Sequence, residues 1–339
     1  MSTLLLSDHD VRALLPMAEC IDAMEGALRS VAEGNAVLPL RTVVRLANTH
    51  NAFATMPAIL GAGRTASIGA KVITVFPGND ATPYDSHIGV VLLFDAEYGT
   101  LQAIADASSI TAIRTAAVSG LATRVLANAE ASDLAILGAG VLAMPHLDAI
   151  CAVRPIRRVR IWSRSGSARD SRAQTFATRA RETRNVDVVV CDDVESAVSH
   201  AHVICTITSS RTPILEGRWL TPGVHINAVG ASLASARELD TDAVVRARYY
   251  ADRRESTMAE AGDFLIPRAE GAINDSHMRG DLGHVLLGTV IGRTTSSDIT
   301  LFKSLGLAVE DVAAVRHVYE RALVHGKGTM IDLGGRRES

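Results

Sequence analysis

The chain has 339 residues, 47% of them hydrophobic and 21% charged, with a formal net charge of −3. That length admits two domains and a substantial core, and the near-neutral balance excludes a disordered or polyanion-binding chain, so nucleic acid is not an expected partner. No apolar run is long enough to span a bilayer, and residues 1–6 are too short and too quickly followed by Asp8 and Asp10 to read as a signal or transit peptide. Cys20, Cys151, Cys191 and Cys205 are scattered without C-x-x-C spacing and read as reduced, buried thiols of a cytoplasmic protein.

In chain order, residues 21–28 have helical spacing, and the runs 68–76 and 89–94, rich in branched residues, read as strands. Gly99 looks like the turn of a hairpin joining 90–94 to 101–105, so antiparallel pairing is expected in the first third. A helix rich in small residues follows over 110–126. From Asp133 onward short apolar strands recur between helical segments, at 134–137, 159–162, 186–190, 203–206, 226–229 and 249–251. This alternation predicts a parallel sheet with crossovers. Residues 300–306 lead into a last helix over 309–324, expected to pack back onto the first domain.

Two sets of residues carry chemistry. In the first, Ala135-Ile136-Leu137 runs into Gly138-Ala139-Gly140-Val141-Leu142-Ala143, and a second strand ends about twenty residues later in Ser163-Arg164-Ser165. This reads as strand, phosphate turn, helix, strand: Gly138 for the tight turn, Gly140 for close approach of a pyrophosphate, Ala143 for close packing of helix on strand. The pyrophosphate would sit on the free N–H groups of the helix start. Arg164 stands where an NAD enzyme would want Asp or Glu, which favours NADP(H) and leaves NAD(H) as the alternative. The bland readings are a glycine pair that only makes a turn and a solvated loop cation.

The second set is basic. Arg41, Lys71 and Arg114 each lie among apolar or small neighbours, where a cation is costly unless an anion meets it. They could converge on a substrate carboxylate, the arginines by two-pronged contact and the lysine as a compact charge. Three separate structural ion pairs, or charges on a solvent face, remain the alternatives. His200 and His202 flank Ala201 in a spacing that gives poor metal ligands, and no metal is expected. His146 reads as packing or solvent-facing, and Asp311, beside Glu310, as a first-turn acid favoured by the helix dipole.

Six blocks in order, residues 38–44, 69–77, 111–117, 136–143, 225–231 and 302–306, resemble the ornithine cyclodeaminase/μ-crystallin family over nearly the whole chain. The resemblance implies an α/β protein: a Rossmann-type doubly wound parallel sheet at 118–307, beside a discontinuous α+β substrate-binding and dimerisation domain at 1–117 completed by 308–339. It further implies a homodimer, and implies that Arg41, Lys71 and Arg114 hold the α-carboxylate of a small imine or amino acid near a nicotinamide. Thr115 and Ser86-His87 fall where the family approaches its cofactor, and Thr206, Val229 and Gly230 join Gly138, Gly140, Val141, Leu142, Ser163, Arg164 and Ser165 in the implied cofactor set.

Departures from the pattern are informative. Cyclodeaminases resemble one another in an aspartate shortly after the Val-Gly pair, where this chain has Ser232, a candidate substrate contact that cannot carry an ammonium's proton as a carboxylate does. Leu142 and Ile88 stand where glutamines are common. The chain looks closer to the μ-crystallin-like ketimine reductase branch, which implies NAD(P)H-dependent reduction of a C=N bond next to a carboxylate, as in pyrroline-2-carboxylate or piperideine-2-carboxylate. The alternatives are an ornithine cyclodeaminase releasing ammonia and proline, an amino-acid dehydrogenase or reductive aminase of the same family, and a non-catalytic binding protein.

Overall fold

The computed structural model describes residues 2–164 and 171–335. Its internal contacts divide the chain into two compact units, Met1–Thr115 with Gly306–Ser339, and Ala116–Leu305, so that one division falls inside helix Ala107–Leu126. The strands are β1 (Ser2–Leu6), β2 (Ala36–Val37), β3 (Thr42–Arg45), β4 (Ala52–Leu60), β5 (Ser67–Val75), β6 (His87–Phe94), β7 (Leu101–Asp106), β8 (Asp133–Leu137), β9 (Arg158–Trp162), β10 (Asp187–Val190), β11 (Val203–Thr206), β12 (His225–Ala228), β13 (Arg248–Ala251), β14 (Met278–Asp281), β15 (Thr300–Lys303) and β16 (Thr329–Asp332).

The first unit is a sheet in the order β16-β1-β7-β6-β5-β4-β2, with β3 also paired to β4. Only β1 and β7 run parallel among these neighbours. The β6–β7 hairpin forms because Asp95 accepts the backbone N–H groups of Glu97 (2.7 Å) and Thr100 (3.0 Å), while Gly99 takes φ +69°. Along β4 the pattern alternates, burying Ala54, Met56 and Ala58 and exposing Phe53 and Ile59. Helix Ala308–His325 packs on the inner face of β4, β5 and β6, and helix Met17–Ala32 packs against that helix. Among the described residues of this unit no element covers the outer face: the register puts Val37 opposite Ile59 and Val44 opposite Phe53, all four exposed. Residues 2–6, which suggested no element in the sequence, are β1, inserted between β16 and β7.

The second unit is an all-parallel sheet in the order β10-β9-β8-β11-β12-β15-β13-β14. Its strands are apolar on both faces because each face carries its own core: Leu134 and Ile136 point into one, Ala135 and Leu137 into the other. From β8 the next two strands, β9 and β10, run outward on one side, and the fourth, β11, lies on the other. This is the doubly wound order, whose reversal between β8 and β11 makes a ligand crevice at their carboxyl ends. Arg154 closes the end of helix Ala107–Leu126 by donating to the carbonyls of Thr123 (2.9 Å), Arg124 (3.0 Å) and Ala127 (3.0 Å). Of the four cysteines, all free, Cys151 is half-buried and the others are buried. Among the described residues no helix is long and apolar enough to cross a membrane.

Candidate functional site

The three cations singled out in the sequence come together within the first unit. Lys71, in the middle of β5, points to the inner face and is 2% exposed, and Arg114, on helix Ala107–Leu126, is 4% exposed. Both meet one carboxylate: Asp311 Oδ2 lies 2.8 Å from Lys71 Nζ, and Asp311 Oδ1 accepts from Arg114 Nε at 2.9 Å. Glu310 Oε2 accepts from Arg114 Nη1 at 2.9 Å. Arg41, half-buried, donates from Nη2 to the carbonyl of Gly306 at 3.0 Å. Gly306 also seats Arg114, since a Cβ there would lie 2.7 Å from Nη1, and its φ of +76° suits glycine. Thr111 accepts from Lys71 Nζ at 3.4 Å.

Asp311 and Glu310 were missing from the site as read in sequence. Asp311 does occupy the first turn of its helix, and it is in addition a fully buried counter-ion. The available signal was the doublet's position between the apolar Val309 and Val312, the same anomaly that marked the cations. Burial would raise the Asp311 carboxyl, but Arg114 and Lys71 outweigh it and hold the pKa below the usual value. Burial lowers Lys71 to about 8 against the opposing pull of Asp311. His87, exposed at the start of β6, shares a 3.0 Å hydrogen bond with Ser86, and desolvation together with the charges of Lys71, Arg114 and Arg41 lowers its pKa. Thr115 follows Arg114 and is buried.

In the second unit the carboxyl end of β8 leads into the glycine turn. Gly138 has φ +122°, and a Cβ there would sit 2.9 Å from the carbonyl of Ile207, so a side chain is excluded. Gly140 differs: nothing lies within 4 Å of its missing Cβ. Helix Ala143–Val153 then starts at Leu142 with no side-chain cap and no acid in its first turn. An uncapped, acid-free helix start beside open space at Gly140 fits a dinucleotide pyrophosphate. Val141 is exposed at this turn; Ser163 is buried at the end of β9, Arg164 exposed beyond it, and Ser165 lies outside the described residues.

The ends of β11 and β12 are tied by a residue the sequence did not mark. Glu238, fully buried, accepts from Thr206 Oγ1 (2.8 Å), from the N–H and Oγ1 of Thr208 (2.7 Å each) and from the N–H of Gly230 (2.8 Å). The Thr206 hydroxyl, expected against the cofactor, is thus donated to Glu238, and Val229 donates its N–H to the Thr206 carbonyl at 2.9 Å. Burial and the neighbouring Asp263 push Glu238 upward in pKa. Asp263 itself pairs with buried Lys303 at 2.8 Å. Ser232 is exposed in the loop after Gly230.

The ornithine cyclodeaminase/mu-crystallin family model matches residues 1–326. The chain belongs to that family. As a member it is 39% identical over 303 residues to the ketimine reductase mu-crystallin of Mus musculus, covering 88% of this chain and 91% of that protein. It is 33% identical over 331 residues to a Delta(1)-pyrroline-2-carboxylate reductase of Bacillus cereus, covering 97% of this chain and all of that one. Among solved structures, the Thermococcus litoralis Delta(1)-pyrroline-2-carboxylate reductase in complex with NADH and L-proline superposes with a TM-score of 0.92 at 33% identity, over 96% of this chain and 99% of that chain.

Proposed function

We propose that this family member reduces the C=N bond of a small cyclic imine next to a carboxylate, such as pyrroline-2-carboxylate or piperideine-2-carboxylate, with a nicotinamide nucleotide as hydride donor. The observation that carries the reading is the convergence of buried Lys71 and Arg114 with half-buried Arg41, Lys71 and Arg114 meeting on Asp311 and the two arginines meeting at Gly306. The names of the Bacillus cereus, Mus musculus and Thermococcus litoralis relatives support it.

The nicotinamide nucleotide, when bound, supplies the hydride. The first unit's residues do the rest of the work on the substrate. Arg41 and Arg114 fix the carboxylate, which orients the carbon that receives hydride. Lys71, titrating near 8, is mostly ammonium at neutral pH yet yields its proton more readily than an ordinary lysine, so it suits protonation of the imine nitrogen as the C=N bond is reduced. One hydride to carbon and one proton to nitrogen give the L-amino or imino acid. In the second unit Gly138, Gly140, Val141 and Leu142 would hold the pyrophosphate, and Arg164 with Ser163 the ribose end, where a guanidinium favours the 2′-phosphate of NADP(H) over NAD(H). Thr115, Val229, Gly230 and Ser232 belong to the same reading as backbone or side-chain contacts to cofactor and substrate, while Thr206 acts behind them through Glu238.

The lyase alternative has less support, because Ser232 supplies no carboxylate where ring closure with loss of ammonia would use one. The uncovered apolar face of the first unit, with Val37, Val44, Phe53 and Ile59 exposed, fits a second copy of the chain, and we take the active form as a homodimer. Four free thiols suit the reducing cytoplasm.

The test is NADPH oxidation by purified protein with each cyclic imine, run in parallel with NADH and with ornithine. Turnover of an imine, faster with NADPH, is expected. Proline formed from ornithine without net change in cofactor, and no oxidation with either imine, would overturn the reading.

A further inference from the structure

One carboxylate, that of Asp311, touches both buried cations of the first unit. Its Oδ2 is 2.8 Å from Lys71 Nζ and its Oδ1 2.9 Å from Arg114 Nε, and all three side chains are 5% exposed or less. Two cations held this close in a dry interior repel, and the repulsion must be answered locally. We propose that Asp311 is a positioning residue of the imine-reducing site: each of its oxygens holds one cation, keeping Lys71 as an ammonium and Arg114 turned to receive the carboxylate. This rests on the functional reading above.

The groups facing Lys71 come from four elements. Asp311 belongs to helix Ala308–His325, Thr111 and Arg114 to helix Ala107–Leu126, Arg41 to the segment before β3, and His87 to β6. Arg114 and Arg41 disfavour the ammonium, and Asp311 opposes them. Glu310 pairs with Arg114 at 2.9 Å. The division of labour follows from these contacts: Asp311 sets the charge of Lys71 and the seat of Arg114, Glu310 the seat of Arg114. The helix start reinforces both carboxylates, since its dipole favours negative charge in the first turn.

The sequence makes a direct test possible. It contains three lysines, Lys71, Lys303 and Lys327, of which Lys303 is buried on Asp263 and Lys327 is exposed. Carbon-13 labelling of lysine therefore yields few side-chain signals in NMR, and Lys71→Met identifies one of them. Lys71 is expected to titrate near pH 8 in the wild type. In Asp311→Asn it should titrate lower by about one unit or more, the size of effect a contacting opposite charge produces. The alkaline limb of kcat/KM should move down with it. Glu310→Gln should raise KM and leave that limb in place. Asp311→Glu, which restores the charge but displaces it by a methylene, should return the limb while KM stays elevated. The role of Asp311 is overturned if Lys71 titrates alike in wild type and Asp311→Asn. Where the asparagine variant does not fold, wild-type kinetics in Asp311→Glu overturn it instead. The titration needs no turnover, so a wild type that reduces no imine overturns the functional reading, and an unmoved Lys71 overturns the Asp311 assignment.

Discussion

A cation in the middle of an apolar strand demands a counter-charge, and Lys71 meets it from a helix 240 positions further along the chain, in Asp311. Breaking such a buried pair costs about 3–5 kcal/mol because the partner is left charged and unpaired. The seat of Arg114 is equally specific. Gly306→Ala would put a methyl 2.7 Å from Nη1 at a φ of +76°, so we expect about 1–2 kcal/mol of lost stability and a KM for the imine raised about tenfold, read from thermal melts and steady-state kinetics. The cations were legible in sequence because each interrupts an apolar run. Asp311 was harder to read, because a first-turn acid is ordinary, and only its place between Val309 and Val312 hints that the turn faces a buried guanidinium rather than water. Glu238 was hidden for a similar reason: its four donors come from segments whose approach depends on the parallel order of β11 and β12.

At the level of elements, six strands of the parallel sheet were readable because both faces are buried and the runs are continuously apolar, as in β8, β11 and β12, whereas β14 and β15 were not marked as strands. β4 was not: its inner face is built largely from alanines so that helix Ala308–His325 can lie on it, and Pro57 interrupts the run. The glycine turn after β8 separates two roles within three residues. Gly138 is structural, since any Cβ collides with Ile207, whereas Gly140 borders open space. Gly140→Val should therefore fold with a melting temperature near that of the wild type and bind NADPH at least about tenfold more weakly, about 1.4 kcal/mol, as measured by quenching of protein fluorescence. Unchanged NADPH affinity in this variant would remove the pyrophosphate from that turn.

At the scale of the whole molecule, two buried histidines of the second unit tie stability to pH. His225 shares hydrogen bonds with Thr300 (3.0 Å) and Asn227 (3.3 Å), and burial, reinforced by the charge of Arg293, lowers its pKa to about 3. His146 is bonded to Ser119 (3.1 Å) and the Leu142 carbonyl (2.8 Å), and burial lowers it to about 4. Both are neutral when folded, while the unfolded chain takes up protons below about pH 6.5. Stability is thus complete above that pH and declines as the pH falls toward the folded values, by about 2 kcal/mol per histidine between pH 6.5 and 5. Urea melts should show this slope, and His225→Asn should remove about half of it; an unaltered slope in the variant would contradict the burial of a neutral imidazole.

The central claim is that the buried cations of the first unit receive a substrate carboxylate. The most direct measurement compares kcat/KM for pyrroline-2-carboxylate with that for its neutral carboxamide, in the wild type and in Arg114→Ala. The wild type should prefer the carboxylate by about a hundredfold or more, about 2.7 kcal/mol, and the variant should lose most of that preference. Equal reduction of the two compounds by the wild type, or a preference that survives in Arg114→Ala, would contradict the account.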